Sequence, residues 1–272
     1  MAEPAKKKVV KVAQTADSDT VETGANAPGW KPTAEAKGKA TQFRVIAWIG
    51  WLVAIALEGF LIYWVLQEWP EHDDTLNMIV LIAGIVVIGV LASVASVFWK
   101  KANRLDPASK KDTVRFFVQN QLGAIMSVIA FLPLIIIVFT NKNMDGKQKG
   151  IVGGIGVLVA LVAVFVFGAD YSPPSQEQYA AESAGITELT GQDEVFWTKS
   201  GKVFHVCEAV PDVNKESKDG TIYQGTVAEA HADGKERLTK NWESEALKHC
   251  GYTQEQVDAA RTAMDAASAD VE

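Results

Sequence analysis

Between residues 45 and 168 the chain holds four apolar runs, 45–66, 77–99, 122–140 and 151–168, with a single charged residue, Glu58, among them. A soluble core has no use for uncharged runs of this length. A hydrocarbon layer about 30 Å thick needs about 20 apolar residues per helical crossing. The chain is therefore expected to be an integral membrane protein. Its averages, 48% hydrophobic and a net charge of −7, conceal this because the charged residues lie almost wholly outside the four runs. The expected fold is membrane all-α: a four-helix transmembrane bundle (44–168), preceded by a disordered basic tail (1–43). A linker (169–190), a small soluble α+β domain (191–252) and a C-terminal helix (253–272) follow. The polar first forty residues do not read as a secretory signal peptide.

Charge fixes the expected orientation. Six basic residues follow the second span (Lys100, Lys101, Arg104, Lys110, Lys111, Arg115), and Lys31, Lys37, Lys39 and Arg44 precede the first. The loop between spans one and two has none, and the loop between spans three and four has Lys142, Lys147 and Lys149. Lys and Arg near span ends mark the cytoplasmic side, so both termini are expected there, in a multi-pass protein of the plasma membrane. If 122–140 instead folds back on itself at Pro133, all thirteen basic groups lie inside and the tail outside.

Glu58 stands alone in the first span, about 20 Å from one end and about 12 Å from the other at 1.5 Å per residue. An ionisable group at that depth costs at least ~2.5 kcal/mol without a partner. It is either a proton, quinol or ion contact, or a carboxyl hydrogen-bonded to a neighbouring helix near Thr140 or Lys142. The second span carries Gly84, Gly89, Ala92, Ser93, Ala95 and Ser96, and the fourth Gly153, Gly154 and Gly156. Small residues at this spacing let helices approach closely in lipid, inside the bundle or against another protein. The acidic loop 67–76, with its one His72, reads as a solvated turn.

Beyond the stiff Tyr171-Ser-Pro-Pro-Ser175, two strand-like runs, 195–198 and 202–206, flank a turn and predict a β-hairpin. Thr226-Val-Ala-Glu229 and Thr253-Gln-Glu-Gln256 are capping boxes that open helices. The chemistry here rests on His205, Cys207, His249 and Cys250. Two Cys and two His match a zinc set, but neighbouring side chains such as His249 and Cys250 diverge and seldom share one metal. A Cys207–Cys250 disulfide is the second option and requires the tail to face outside, in an oxidising compartment; two ordinary thiols are the third.

Phe98-Trp-Lys-Lys-Ala-Asn103, Asp106-Pro-Ala-Ser109, Asn120-Gln-Leu-Gly123, Phe131-Leu-Pro-Leu134 and Gly201-Lys-Val-Phe-His205 resemble a family of uncharacterised actinobacterial four-helix membrane proteins. The resemblance covers nearly everything after residue 40 and implies a basic arm, four membrane helices and a small C-terminal domain. Many members have a cysteine where this chain has Val210, and a Cys-x-x-Cys pair where it has Thr239 and Trp242. The zinc set that those cysteines imply is not carried over. The layout also resembles, more loosely, a corynebacterial accessory subunit of the respiratory bcc–oxidase supercomplex.

No phosphate loop, dinucleotide fingerprint, haem motif or metalloprotease motif is present in the sequence. The expected function is thus a non-enzymatic interaction or accessory subunit of a membrane complex, with no cofactor. Its partners would be the bilayer and a membrane protein met through the small-residue faces, with no nucleic acid. Two alternatives are a small transporter or channel using Glu58 with the Gln119–Gln121 cluster, and a membrane-tethered metal- or redox-sensing domain.

Overall fold

The computed structural model describes residues 7–12, 32 and 34–269. The chain forms two compact units, one of residues 37–103 and 114–173, the other gathering the described residues among 1–36, 104–113 and 174–272.

The first unit contains the four apolar runs as helices long enough to cross a membrane. They are α1 (Ala34–Tyr63, continued by a π turn over Trp64–Glu68), α2 (Asp74–Leu105), the pair α3 (Thr113–Ile129) and α4 (Leu132–Thr140), and α5 (Gly146–Leu161, continued by a π turn over Val162–Gly168). Each extends beyond its apolar run, because a helix continues into polar residues at the headgroup level without leaving any backbone group unpaired.

The buried positions explain how α1 and α2 pack. On α1 they are Ala47, Trp51, Ala54, Glu58, Leu61 and Val65; on α2 they are Leu81, Ile85, Ile88, Ala92, Ala95, Trp99 and Ala102. Both follow alternating spacings of three and four, the seam that two helices bury when they pack side by side. The opposite faces are apolar and exposed, with Ile49 and Leu52 of α1 and Ile79 and Val90 of α2 each more than half open. Such faces suit contact with lipid.

The small residues act mainly inside this unit. A Cβ on Gly84 would come within 2.6 Å of Leu61, and one on Gly89 within 2.4 Å of Val159. Gly168 is the least forgiving of the three, since a Cβ there would lie 2.7 Å from the backbone of Ala124, which cannot rotate away.

The second unit has a three-stranded sheet in the order β1-β3-β2, built from β1 (Lys8–Lys11), β2 (Val195–Trp197) and β3 (Thr221–Gly225). β1 runs parallel to β3 and β2 antiparallel to it. Five helices complete the unit: α6 (Gln176–Thr190), α7 (Pro211–Glu216), α8 (Val227–Ala232), α9 (Trp242–Lys248) and α10 (Gln254–Ala269). Ile186, Leu189, Val195, Trp197, Phe204, Val227, Ala246 and Val257 form its core.

Local signals held well here. The Thr226–Glu229 capping box opens α8, Gly234 follows it with φ +87°, and Thr253 and Gln256 exchange the same reciprocal hydrogen bonds ahead of α10. The hairpin is reduced to one antiparallel bridge, Phe196 to His205.

Two expected boundaries are corrected. The stretch 169–190 is not a linker throughout: from Gln176 it is α6, with Ser175 capping its start and Gly191 its end. Its buried face, Tyr179, Glu182, Gly185, Ile186 and Leu189, has helical spacing, but the carboxylate within it masks the pattern. The tail 1–43 is not wholly unstructured, since Lys8–Lys11 forms β1 and α1 begins at Ala34. The remainder of that tail lies outside the described residues.

Candidate functional site

Glu58 is buried and its Oε1 accepts a hydrogen bond from the Leu134 backbone N–H at 3.2 Å. The reason is Pro133. A proline interrupts the third span between α3 and α4 and leaves the first amides of α4 without the helical carbonyls they would otherwise meet. The carboxyl of Glu58, supplied from α1, serves as an N-terminal cap in trans. The expected partners near Thr140 and Lys142 are replaced by this amide; Thr140 instead bonds its own helix at Ile136 O.

The same device recurs at the other irregular points. Asn141 Nδ2 donates to Val65 O in the π turn, and Asn77 Nδ2 donates to Trp69 O while its Oδ1 accepts from Trp64 Nε1. Gln119 O accepts from both Trp99 Nε1 and Asn103 Nδ2, Asn120 bonds Phe116 O, and Gln121 Nε2 donates to Asp170 O. The Gln119–Gln121 group lies about 20 Å along the span from Leu134, so it does not converge with Glu58. The bonds of Asn141, Asn77 and Gln121 pair carbonyls at interrupted points of the backbone ladder, as lipid demands, while those to Gln119 O and Phe116 O fall within the continuous helix α3.

In the other unit, Cys207 and Cys250 are joined as a disulfide, Cα–Cα 5.9 Å, beside Val210, Val213 and Ile222. The four residues His205, Cys207, His249 and Cys250 do not meet at one point. His205 Nδ1 pairs with Glu245 at 3.0 Å, and the exposed His249 ends α9. Among the described residues no group of three or more His, Cys, Asp or Glu is arranged to hold a metal ion.

The most connected polar cluster was not visible in the sequence. His231, fully buried, sits with Nε2 2.6 Å from Glu182 Oε2 and Nδ1 2.9 Å from Lys235 O. Tyr179 stacks on its ring at 3.6 Å between centroids, and Phe204 meets it edge-on. Because a carbonyl only accepts, Nδ1 carries a proton, and the short contact to Glu182 needs a second one. Glu182 Oε1 also accepts from Leu238 N–H. Lys235 is buried too and donates to Thr198 O and Gly201 O; burial lowers its pKa, while Asp233 and Glu216 oppose that shift. Burial likewise raises the pKa of Asp193, although the Val227 amide and Ser183 hydroxyl bond it. These groups tie α6, α8 and the 198–205 segment together. Sequence spacing gave no signal for the cluster, because His231 and Glu182 lie 49 residues apart.

A second set of contacts joins the loop between α2 and α3 to α6. Glu177 Oε1 accepts from Ser109 Oγ and from the Lys110 N–H, Gln176 donates to Ala108 O and Pro107 O, and Tyr179 OH donates to Arg104 O. Burial pushes the Glu177 carboxyl up, but the hydrogen bonds from Ser109, Lys110 and its other donors outweigh it and the net pKa is lowered. No protein-family model, curated protein or solved structure matches this chain.

Proposed function

We propose that this chain is a non-enzymatic accessory subunit of a membrane complex, four helices deep in the bilayer and carrying a small α+β interaction module on one membrane face. The carrying observation is the composition of the second unit. It gathers the N-terminal strand, the loop 104–113 and everything from residue 174. Two spans separate the strand from the loop, and two more separate the loop from residue 174. A unit that unites all three needs an even number of crossings each time. This supports four full crossings over a re-entrant 122–140. The excess of basic groups at these connections supports a cytoplasmic position for the module and both termini.

The small-residue faces are a narrower platform for partners than the sequence alone implies, because Gly84, Gly89 and Gly153 are used within the bundle. Gly150 and Gly154 of α5 have open space around them and remain available. The supercomplex form of the proposal rests on the resemblance described above. Purification of the tagged chain from native membranes in mild detergent tests it. Fixed-stoichiometry partners with haem absorbance are expected; partners without haem remove the respiratory form, and a chain always recovered alone and monomeric removes the accessory role.

One observation favours a second function. A permanent Cys207–Cys250 bond would favour a module outside the cell, whereas on the cytoplasmic side a disulfide is normally transient and redox-responsive; with the module placed in the cytoplasm, the bond fits a membrane-tethered redox sensor. Thiol counting in cells before and after oxidant decides it: an unchanged count rules sensing out. The transporter alternative draws less support, since Glu58 Oε1 accepts from the Leu134 amide.

A further inference from the structure

An open groove of about 680 Å³ runs along the outside of the four-helix unit, from Val86 to Lys101 on α2 and from Leu158 to Phe167 on α5 and its π turn. Its walls are aliphatic or aromatic, and its only polar side chains are Ser93 and Lys101. Ser93, with its short side chain, leaves it unfilled, while the space beside Gly89 is taken by Val159. Fifteen residues of α2 measure about 22 Å, against about 15 Å for half the hydrocarbon core. The groove therefore runs from mid-span through one leaflet to the headgroup level. At that end the Lys101 ammonium stands 5.7 Å from the centre of the Phe98 ring, itself part of the wall.

We propose that this groove is a lipid site that takes one acyl chain of an anionic phospholipid, with its phosphate on Lys101. A chain-shaped apolar slot closed at its polar end by a single cation is complementary to that molecule. A zwitterionic lipid would fill the slot equally well, but its own cation would compete at the phosphate. The groove ends among the basic residues that mark the cytoplasmic leaflet, where anionic lipids are enriched. The assignment does not depend on the accessory role, since it concerns this chain alone.

Native mass spectrometry of the delipidated full chain in mild detergent, titrated with phosphatidylglycerol or phosphatidylcholine, tests the proposal. One phosphatidylglycerol should be retained in preference to phosphatidylcholine. Lys101→Gln should weaken it about fivefold, the effect of one basic group at a membrane surface, and leave phosphatidylcholine unchanged. Val94→Trp should abolish the one-lipid adduct for both, while Lys147→Gln, outside the groove, should change nothing. Equal retention of the two lipids, or phosphatidylglycerol binding unaffected by Lys101→Gln, overturns the proposal as non-specific lipid contact. A stoichiometric polypeptide held by the native chain and lost in Val94→Trp overturns it in favour of a partner helix. Lys101→Gln alters an exposed side chain and carries the test by itself if the tryptophan variant does not fold.

Discussion

Replacing Glu58 by leucine removes the acceptor that caps Leu134 and leaves a backbone N–H unpaired within the bundle. The desolvation penalty of such an orphan is about 1–3 kcal/mol. Hydrogen bonds measured inside membrane bundles average about 0.6 kcal/mol and reach about 1.7, so a loss of about 1–2 kcal/mol is expected for Glu58→Leu. Glu58→Gln keeps an oxygen at the same reach and should lose less than about 0.5 kcal/mol. The pair can be followed by reversible unfolding in mixed detergent and SDS, where 1.4 kcal/mol is a tenfold change in the folding constant. A background of Pro133→Ala sharpens the test. Alanine restores an amide and lets α3 and α4 join more regularly, so the leucine substitution should cost at least about 0.5 kcal/mol less there, within the range of coupling between contacting residues. Equal losses for glutamine and leucine, or no dependence on Pro133, would refute the capping role and return Glu58 to a charge-dependent one.

Other expectations follow from single contacts. Gly168→Ala should destabilise the bundle by about 1–3 kcal/mol through overpacking against Ala124, whereas Gly150→Ala, with open space around it, should be neutral or stabilising by up to about 1 kcal/mol; thermal unfolding in detergent compares them. Reducing Cys207–Cys250, which closes a 43-residue separation, should lower stability by about 4 kcal/mol on the chain-entropy account, read as a drop in Tm of the 174–269 region with reductant. Glu177→Ala should expose the Lys110 amide to hydrogen exchange. Because the folded Glu177 carboxyl has a lowered pKa, its contribution is present above the ordinary glutamate value and is lost as pH falls through the folded one; Lys110 protection that is insensitive to acid in the native chain would contradict this. Asp193 has the opposite sign: its raised pKa makes stability fall as pH rises from about 3.8, and Asp193→Asn should flatten that part of the profile.

The four spans were legible because hydropathy accumulates over about twenty residues and nothing local competes with it. Capping boxes were legible because all their parts lie within four residues. Glu58 could be placed in the seam from its spacing to Trp51, Ala54, Leu61 and Val65, yet its partner is a backbone amide 76 residues away, announced only by Pro133. The helix α6 was hidden because Glu177 and Glu182 occupy its buried face, where they are satisfied by Ser109, Lys110, His231 and Leu238 from distant segments. Strand β1 had no local signature at all; Lys-Val-Val-Lys becomes a strand only because β3 offers it an edge.

That edge sets an order of events during synthesis. Lys8 pairs with Thr221, which is made only after all four crossings that lie between them. At about 5–20 residues per second, the leading segment waits roughly 10–40 s for its complement while the helices enter the bilayer. Throughout that interval the lysines on either side of Val9 and Val10 disfavour pairing with a neighbouring chain, as charges do on an exposed strand edge.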